Sequence, residues 1–362
     1  MGDMVDYIRW RGDLSFSASP PNEVDAIIFS TLSYIPFRGM AELHPEKPIS
    51  LHLAVSEFFS FPTPPDYVRA KNDLELLRLA GESRRFGEIE VMEYRTKFIK
   101  ERDTQFAGVT FRLDDGSLFI SFRGTDNTLV GWKEDFSMCF RQVIPSQALA
   151  KQYLQDVLMV YPGPVRVSGH SKGGNIAVYA VSQSAPVIRN RVLEVYNQEG
   201  PGFSQEFLSD PGYESIVPKI KTYVPQGSMI GMILYRLEPV LIVKSNQAGI
   251  MQHDPFSWEI CGTQMLRMPA LTSGSLFLQR TLENWLAGMG REDRIRMVNT
   301  LYDLLTSGDV EVMEDILQPK SLINYISRLR NSEQLRKYLS ADINSLLKAA
   351  REAWQQSQTP QP

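Results

Sequence analysis

The sequence predicts an α/β protein: a mainly parallel β-sheet flanked by helices, with a C-terminal appendage built only of helices. Three observations predict it. Short apolar strands alternate with amphipathic helices between residues 147 and 246, as parallel strands joined by helical crossovers do. Just before them, FAGVTFRL (106–113) and SLFISFRG (117–124) flank Asp114-Asp115-Gly116, a strong hairpin signal. From residue 273 onward no convincing strand remains.

Each element follows from local chemistry. Behind an Asn22 cap, EVDAIIFSTLSYI (23–35) carries apolar residues at helical spacing and stops at Pro36. A loop-rich stretch through Pro48, Pro62, Pro64 and Pro65 is expected next, and then a helix, YVRAKNDLELLRLAG (67–81), that ends at Gly81. EIEVMEYRTKFI (88–99) opens the strand-rich part, and the hairpin extends it with antiparallel strands at the sheet edge. QALAKQYLQDVLMVY (147–161) reads as a helix, VRVSG (165–169) as a strand and GNIAVYAVSQSA (174–185) as a helix; VLEVYN (192–197), KIKTYV (219–224) and PVLIVKSN (239–246) are further strands. Beyond them LFLQRTLENWLAGM (276–289), REDRIRMVNTLYDLLTSG (291–308), DVEVMEDIL (309–317), SLINYISRLR (321–330) and SADINSLLKAAREAWQQ (340–356) are amphipathic helices. The expected organisation is a sheet-containing domain over 1–272, a helical appendage over 273–356 and a disordered polar tail over 357–362. The appendage's apolar faces need burial against the sheet domain, and a stabilising cap far from the cleft is expected slightly ahead of a lid over it.

Composition narrows the function classes. A formal net charge of -4 provides no electrostatic footprint for nucleic acid. Cys139 and Cys261 stand far apart with no metal-ligand spacing, so both are expected to be ordinary buried thiols in a reducing compartment, and neither a metal site nor a cofactor is expected. The start, MGDMVDYIRWRGD, lacks a signal-peptide core, Asp6 stands where a myristoylation motif wants a hydroxyl residue, and no apolar run reaches the roughly 18 residues of a transmembrane segment. A soluble, cytoplasmic protein is expected.

Gly169-His170-Ser171-Lys172-Gly173 matches G-x-S-x-G. Chance alone gives that pattern in about one chain in ten of this length, with Gly and Ser each at roughly 7% of residues. Its context is more specific: VRVSG precedes it and a helix follows, so Ser171 falls at a strand-to-helix turn, the nucleophile elbow of an α/β-hydrolase-type sheet. A serine hydroxyl needs a base, and histidine is suited to that near neutral pH. His170 lies inside the elbow, His44 and His52 precede the sheet, and the order nucleophile, acid, base leaves His253. Two backbone N–H groups are expected to form an oxyanion hole. Lys172, which follows the nucleophile, supplies one, and Thr125, in the turn after SLFISF, supplies the other. Blandly, RGTD is a polar turn.

Taken together, SFRGTDNTLVGWKEDF, VSGHSKGGNIAVYA, VYNQEGPGF and QHDPFSW resemble a family of uncharacterised bacterial proteins related to the class 3 lipases, across most of residues 1–260. The resemblance implies Ser171 as nucleophile, His253 as base and Thr125, the hydroxyl residue after F-R-G, in the oxyanion hole. One departure stands out. Where class 3 lipases carry their acid in N-D-x-V-P, this chain has Pro225-Gln226-Gly227-Ser228-Met229-Ile230, with Ser228 in the aspartate's place. Either the acid comes from elsewhere or the site is degraded. Glu194 lies within a strand, Glu206, Asp210 and Glu214 fall in a polar excursion, and Glu238 begins a strand at its far end. Only Glu199 directly follows a strand's carboxyl end, where sites of parallel sheets gather, and it is the expected acid. Asp254 would have to fold back on its neighbour, and a purely structural role for Glu199, capping the GPGF turn, is the alternative.

The function expected is a serine hydrolase that cleaves carboxylic esters through an acyl-enzyme, lipase- or esterase-like, on a hydrophobic acyl substrate. The resemblance favours that substrate, and the run MIGMIL (229–234) adds little, because such stripes are more often core. A thioesterase or amidase would use the same residues. A non-catalytic binding protein of the same fold, its acid lost at Ser228, is the alternative from another class.

Overall fold

The computed structural model describes residues 2–37, 48–60, 71–126, 128–306 and 319–358. Eight strands stand side by side in sequence order: β1 (Ile49–Ser50), β2 (Glu90–Ile99), β3 (Thr104–Arg112), β4 (Leu118–Phe122), β5 (Val165–His170), β6 (Val192–Gln198), β7 (Ile220–Pro225) and β8 (Val240–Val243). Strands β1 to β4 pair antiparallel and β4 to β8 parallel. The Asp-Asp-Gly turn closes the β3–β4 hairpin as expected, with Gly116 at φ 81°.

The parallel strands are linked through α6 (Leu129–Ser137) and α7 (Pro145–Val160), then α8 (Lys172–Ser182) and α9 (Pro186–Arg191), then α10 (Pro211–Ile216). When parallel strands keep their sequence order, right-handed crossovers all fall on one face. There α7, α8 and α10 build one buried core. The other face needs a separate cover, which comes from α1 (Met4–Arg11), α2 (Glu23–Leu32), α3 (Leu51–Ser60), α4 (Lys71–Glu82) and α5 (Arg84–Gly87), joined by Phe256, Trp258 and Met265. A bidentate pair between Arg85 and Asp25, both side chains fully buried, ties this layer together. The result is an α/β-hydrolase-type sheet between two layers.

Two of these helices depart from the sequence expectation. Helix α3 occupies part of the stretch expected to be loop, because Leu51, Ala54, Val55 and Phe58 repeat at helical spacing and are buried. Helix α1, where no element is expected from the sequence, begins at an Asp3–Asp6 capping box. The first residues of YVRAKNDLELLRLAG and all of DVEVMEDIL lie outside the described residues. Cys261 is a correction: it is exposed, because in the short hairpin of β9 (Ile260–Cys261) and β10 (Gln264–Met265) Ile260 points inward and its neighbour outward. Cys139 is partly buried.

The C-terminal helices are α11 (Ser273–Ala287), α12 (Arg291–Leu305), α13 (Pro319–Asn331) and α14 (Glu333–Gln358). Residues 357–358, expected in a disordered tail, complete α14, and 359–362 lie outside the described residues. Phe277 meets Trp354 edge-on, and the Trp285 indole donates to Ser345, joining α11 to α14. The group docks at the carboxyl end of the sheet. Lys133 of α6 lies over the Tyr302 ring of α12, and Arg294 donates to the Cys139 carbonyl. Thr272 N–H and the Ser275 hydroxyl bond the carbonyls of Gln226 and Ser228. No described helix is long and apolar enough to cross a membrane.

Candidate active site

Strand β5 runs into Ser171, which adopts φ 58° and ψ -134° before α8 begins at Lys172. A left-handed backbone at serine is strained and is kept only where its surroundings enforce it. Here the Ser171 N–H donates to the Gln198 carbonyl at 2.9 Å, and its own carbonyl accepts from Gly174 N–H at 2.9 Å. The flanking glycines are required by contact: a Cβ on Gly169 would lie 2.1 Å from the Gly173 carbonyl carbon, and one on Gly173 would lie 2.2 Å from the Phe122 oxygen. The G-x-S-x-G spacing thus records how closely β4, β5 and α8 meet.

His170 pairs with Gln198 across β5 and β6, so the residues that follow, Ser171 and Glu199, emerge side by side at the same sheet end. Glu199 also has a left-handed backbone, φ 54°, and is buried. The Asn197 side chain accepts from Gly200 N–H at 2.9 Å, and Asn175 donates to the carbonyls of Pro201 and Gly202. The GPGF turn is therefore held by two asparagines, and the Glu199 carboxylate points elsewhere. Its Oε2 lies 2.9 Å from His253 Nδ1 and its Oε1 accepts the Ser228 hydroxyl at 2.6 Å. Four of the competing acids have other partners: Glu194 meets Arg166, Tyr196 and Lys221, Glu238 meets Tyr213 and Thr222, Asp210 caps α10, and Asp254 accepts from Phe256 N–H.

His253 closes a short turn after β8. His170 fixes its backbone, with Nε2 2.8 Å from the His253 carbonyl and Nδ1 3.2 Å from the Tyr34 hydroxyl. A carbonyl only accepts, so His170 carries its proton on Nε2. The two imidazoles lie with centroids 4.6 Å apart. His170, Glu199 and His253 also bring ligand-type atoms within 4.8 Å of one another, but His253 Nδ1 and Glu199 Oε2 are spent on each other.

On the other side of Ser171 stand Lys172 and Thr125. As the first residue of α8, Lys172 offers an N–H with no partner inside the helix. Its ammonium turns inward, to Glu134 Oε2 at 2.9 Å and the Gln105 carbonyl at 3.0 Å, with both side chains of the ion pair fully buried. Glu134 accepts further bonds from Gln105 N–H and Ser146, so both oxygens of its buried carboxylate are hydrogen-bonded by protein groups. The Thr125 hydroxyl donates to Asp135 Oδ2 at 2.6 Å, which leaves its backbone N–H as the group available to a ligand. Burial pushes the Asp135 carboxyl up to about 6, against the pull of Lys172 and of the Thr125 hydroxyl.

Ser171, His253, Thr125 and Asp135 line one cavity of about 190 Å³, whose remaining wall includes Trp132, Phe136, Ile230 and Ile233. Among the described residues the Ser171 hydroxyl makes no hydrogen bond. The structure thus brings together all five residues singled out from the sequence. Tyr34, His170, Ser228, Glu134 and Asp135 were missed. The Lys-Glu-Asp run between the apolar residues of LVGWKEDF was the available signal for the last two.

A family model described as Mbeg1-like matches residues 80–303, more than half of the chain. The chain belongs to the Mbeg1-like family. Among solved structures, this Mbeg1-like chain is similar to M37 lipase, at 14% identity and a TM-score of 0.37 over 57% of this chain and 68% of that one. The Rhizomucor miehei lipase in its propeptide complex is similar at 14% identity and a TM-score of 0.38, over 61% and 68%. A mutant of MDLA from Penicillium cyclopium is similar at 14% identity and a TM-score of 0.37, over 73% and 91%. No curated protein matches the chain.

Proposed function

We propose that the chain is a serine hydrolase that cleaves esters of hydrophobic carboxylic acids through an acyl-enzyme. The observation that carries this reading is the 2.9 Å contact of Glu199 with His253 Nδ1, on the cavity that Ser171 also lines from a strained elbow. With its Nδ1 proton donated to Glu199, His253 has Nε2 as the free base. Ser171 Oγ attacks the acyl carbonyl as Nε2 takes its proton, and the N–H groups of Thr125 and Lys172 receive the charge on the carbonyl oxygen. The imidazolium, steadied by Glu199, then protonates the leaving alcohol. Water repeats the sequence on the acyl-enzyme and frees the acid.

Ser228, where class 3 lipases have aspartate, supports this reading once Glu199 is included: the acid has moved from the end of β7 to the end of the neighbouring β6, and Ser228 donates to it. The apolar cavity wall favours an acyl substrate of low polarity. Hydrolysis of p-nitrophenyl butyrate tests the proposal. Ser171→Ala is expected to cut turnover by about 10⁶ and His253→Ala nearly as far, with unchanged thermal unfolding. Retention of more than about a tenth of the activity in either variant contradicts it.

A further inference from the structure

A second cavity, of about 170 Å³, lies behind the first and shares part of its wall: Met138, Cys139, Ile233 and Leu234 line both. Its far side is formed by α11, through Leu282, Leu286 and Ala287, with Glu283 and Arg294 adding charged groups. The first cavity, at about 190 Å³, is smaller than the roughly 300–1,000 Å³ of sites that take drug-sized ligands. Leu234 stands in the dividing wall at φ 64°, a conformation that leucine rarely adopts. The backbone is clamped on both sides of it: Gly202 N–H donates to the Ile233 carbonyl, and Phe203 and Tyr235 exchange a pair of bonds at 2.7 and 3.0 Å. A strained residue held this firmly marks a position where the side chain's placement matters.

We infer that the wall made by Met138 and Leu234 sets the acyl chain length this site accepts, and that the cavity under α11 is the path a longer acyl chain takes once that wall is opened. The inference rests on the hydrolase reading above and names its specificity. The acyl part stays attached to Ser171 while alcohol leaves and water enters, so the apolar end lined by Met138 and Leu234 suits the group that stays. In this arrangement the C-terminal helices act on specificity through the wall behind the site, because none of their described residues lines the first cavity.

The test compares kcat/KM for p-nitrophenyl butyrate and p-nitrophenyl octanoate. Leu234→Gly suits the left-handed backbone, so the variant is expected to fold, which thermal unfolding checks. It is expected to raise the octanoate-to-butyrate ratio by about tenfold, since several methylenes gain burial. Met138→Ala is expected to shift the ratio the same way. Adding Ala287→Phe, at an exposed position on the far side of the second cavity, is expected to return the Leu234→Gly ratio towards the wild-type value. A ratio that moves by less than about twofold in both wall variants overturns the inference alone. So does a gain that follows the alcohol in butyl and octyl acetates instead of the acid. If the wild-type protein hydrolyses no ester at all, the hydrolase reading falls and the inference with it.

Discussion

A carboxylate at the end of β6 reaches the imidazole that an acid after β7 would serve, because the two strands are neighbours and Glu199 leaves the sheet with a left-handed backbone. Its two oxygens divide the work: one holds His253 Nδ1 and the other is fixed by Ser228. Glu199→Gln is expected to lower kcat by roughly 10²–10⁴, as loss of a triad acid does, because the amide cannot stabilise the imidazolium. Ser228→Ala removes one hydrogen bond to a charged group and is expected to cost about tenfold. Steady-state kinetics on a short ester reads both, and near wild-type turnover in Glu199→Gln contradicts the assignment. Glu199 was legible in the sequence because it directly follows an apolar strand. Its link to Ser228 was not, since a contact between positions 29 apart depends on how β6 and β7 pair.

At the scale of elements, α6 and α8 meet through a charge cluster in which buried Lys172 faces buried Glu134 closely and the partly exposed Asp135 at 3.8 Å. Asp135 lies at about 6, above its ordinary 3.8, so between those values the folded protein keeps a proton that the unfolded chain has released. Its contribution to stability is therefore full below the ordinary value and is lost as pH rises through about 6. Asp135→Asn keeps an acceptor for the Thr125 hydroxyl and removes this titration. The variant is expected to gain on wild type by an amount on the order of 2 kcal/mol as pH rises from about 4 to about 8, read as a difference in Tm that grows across that range. A difference that stays flat with pH contradicts the proposed burial of this charge. The elbow itself was legible, since G-x-S-x-G between a strand and a helix has few other uses. The cluster behind it was not, because lysine, glutamate and aspartate in sequence read as surface residues until packing buries them. Helix α3 was hidden by the prolines around it, although its apolar spacing was there to be counted.

For the whole molecule, the alternation of strands and helices fixes a parallel sheet, and the hairpin extends it, so the central layer follows from the sequence. What covers the far face does not: α1 to α5 are short local helices, α2 among them buried almost all round, and only the requirement that a sheet be buried on both sides says where they go. The same limit applies to α11–α14. Their apolar faces demanded a partner, and the structure supplies α6 and the loop after β7, two elements that also carry walls of the cavity. None of their described residues lines the cavity that holds Ser171, while α11 lines the neighbouring one. The central claim, that Ser171 is an activated nucleophile, is tested most directly by reacting the intact protein with a fluorophosphonate probe and locating the adduct by peptide mass spectrometry. Stoichiometric labelling on Ser171 is expected, abolished in Ser171→Ala and strongly slowed in His253→Ala. An unlabelled protein, or an adduct on another residue that persists in Ser171→Ala, contradicts it.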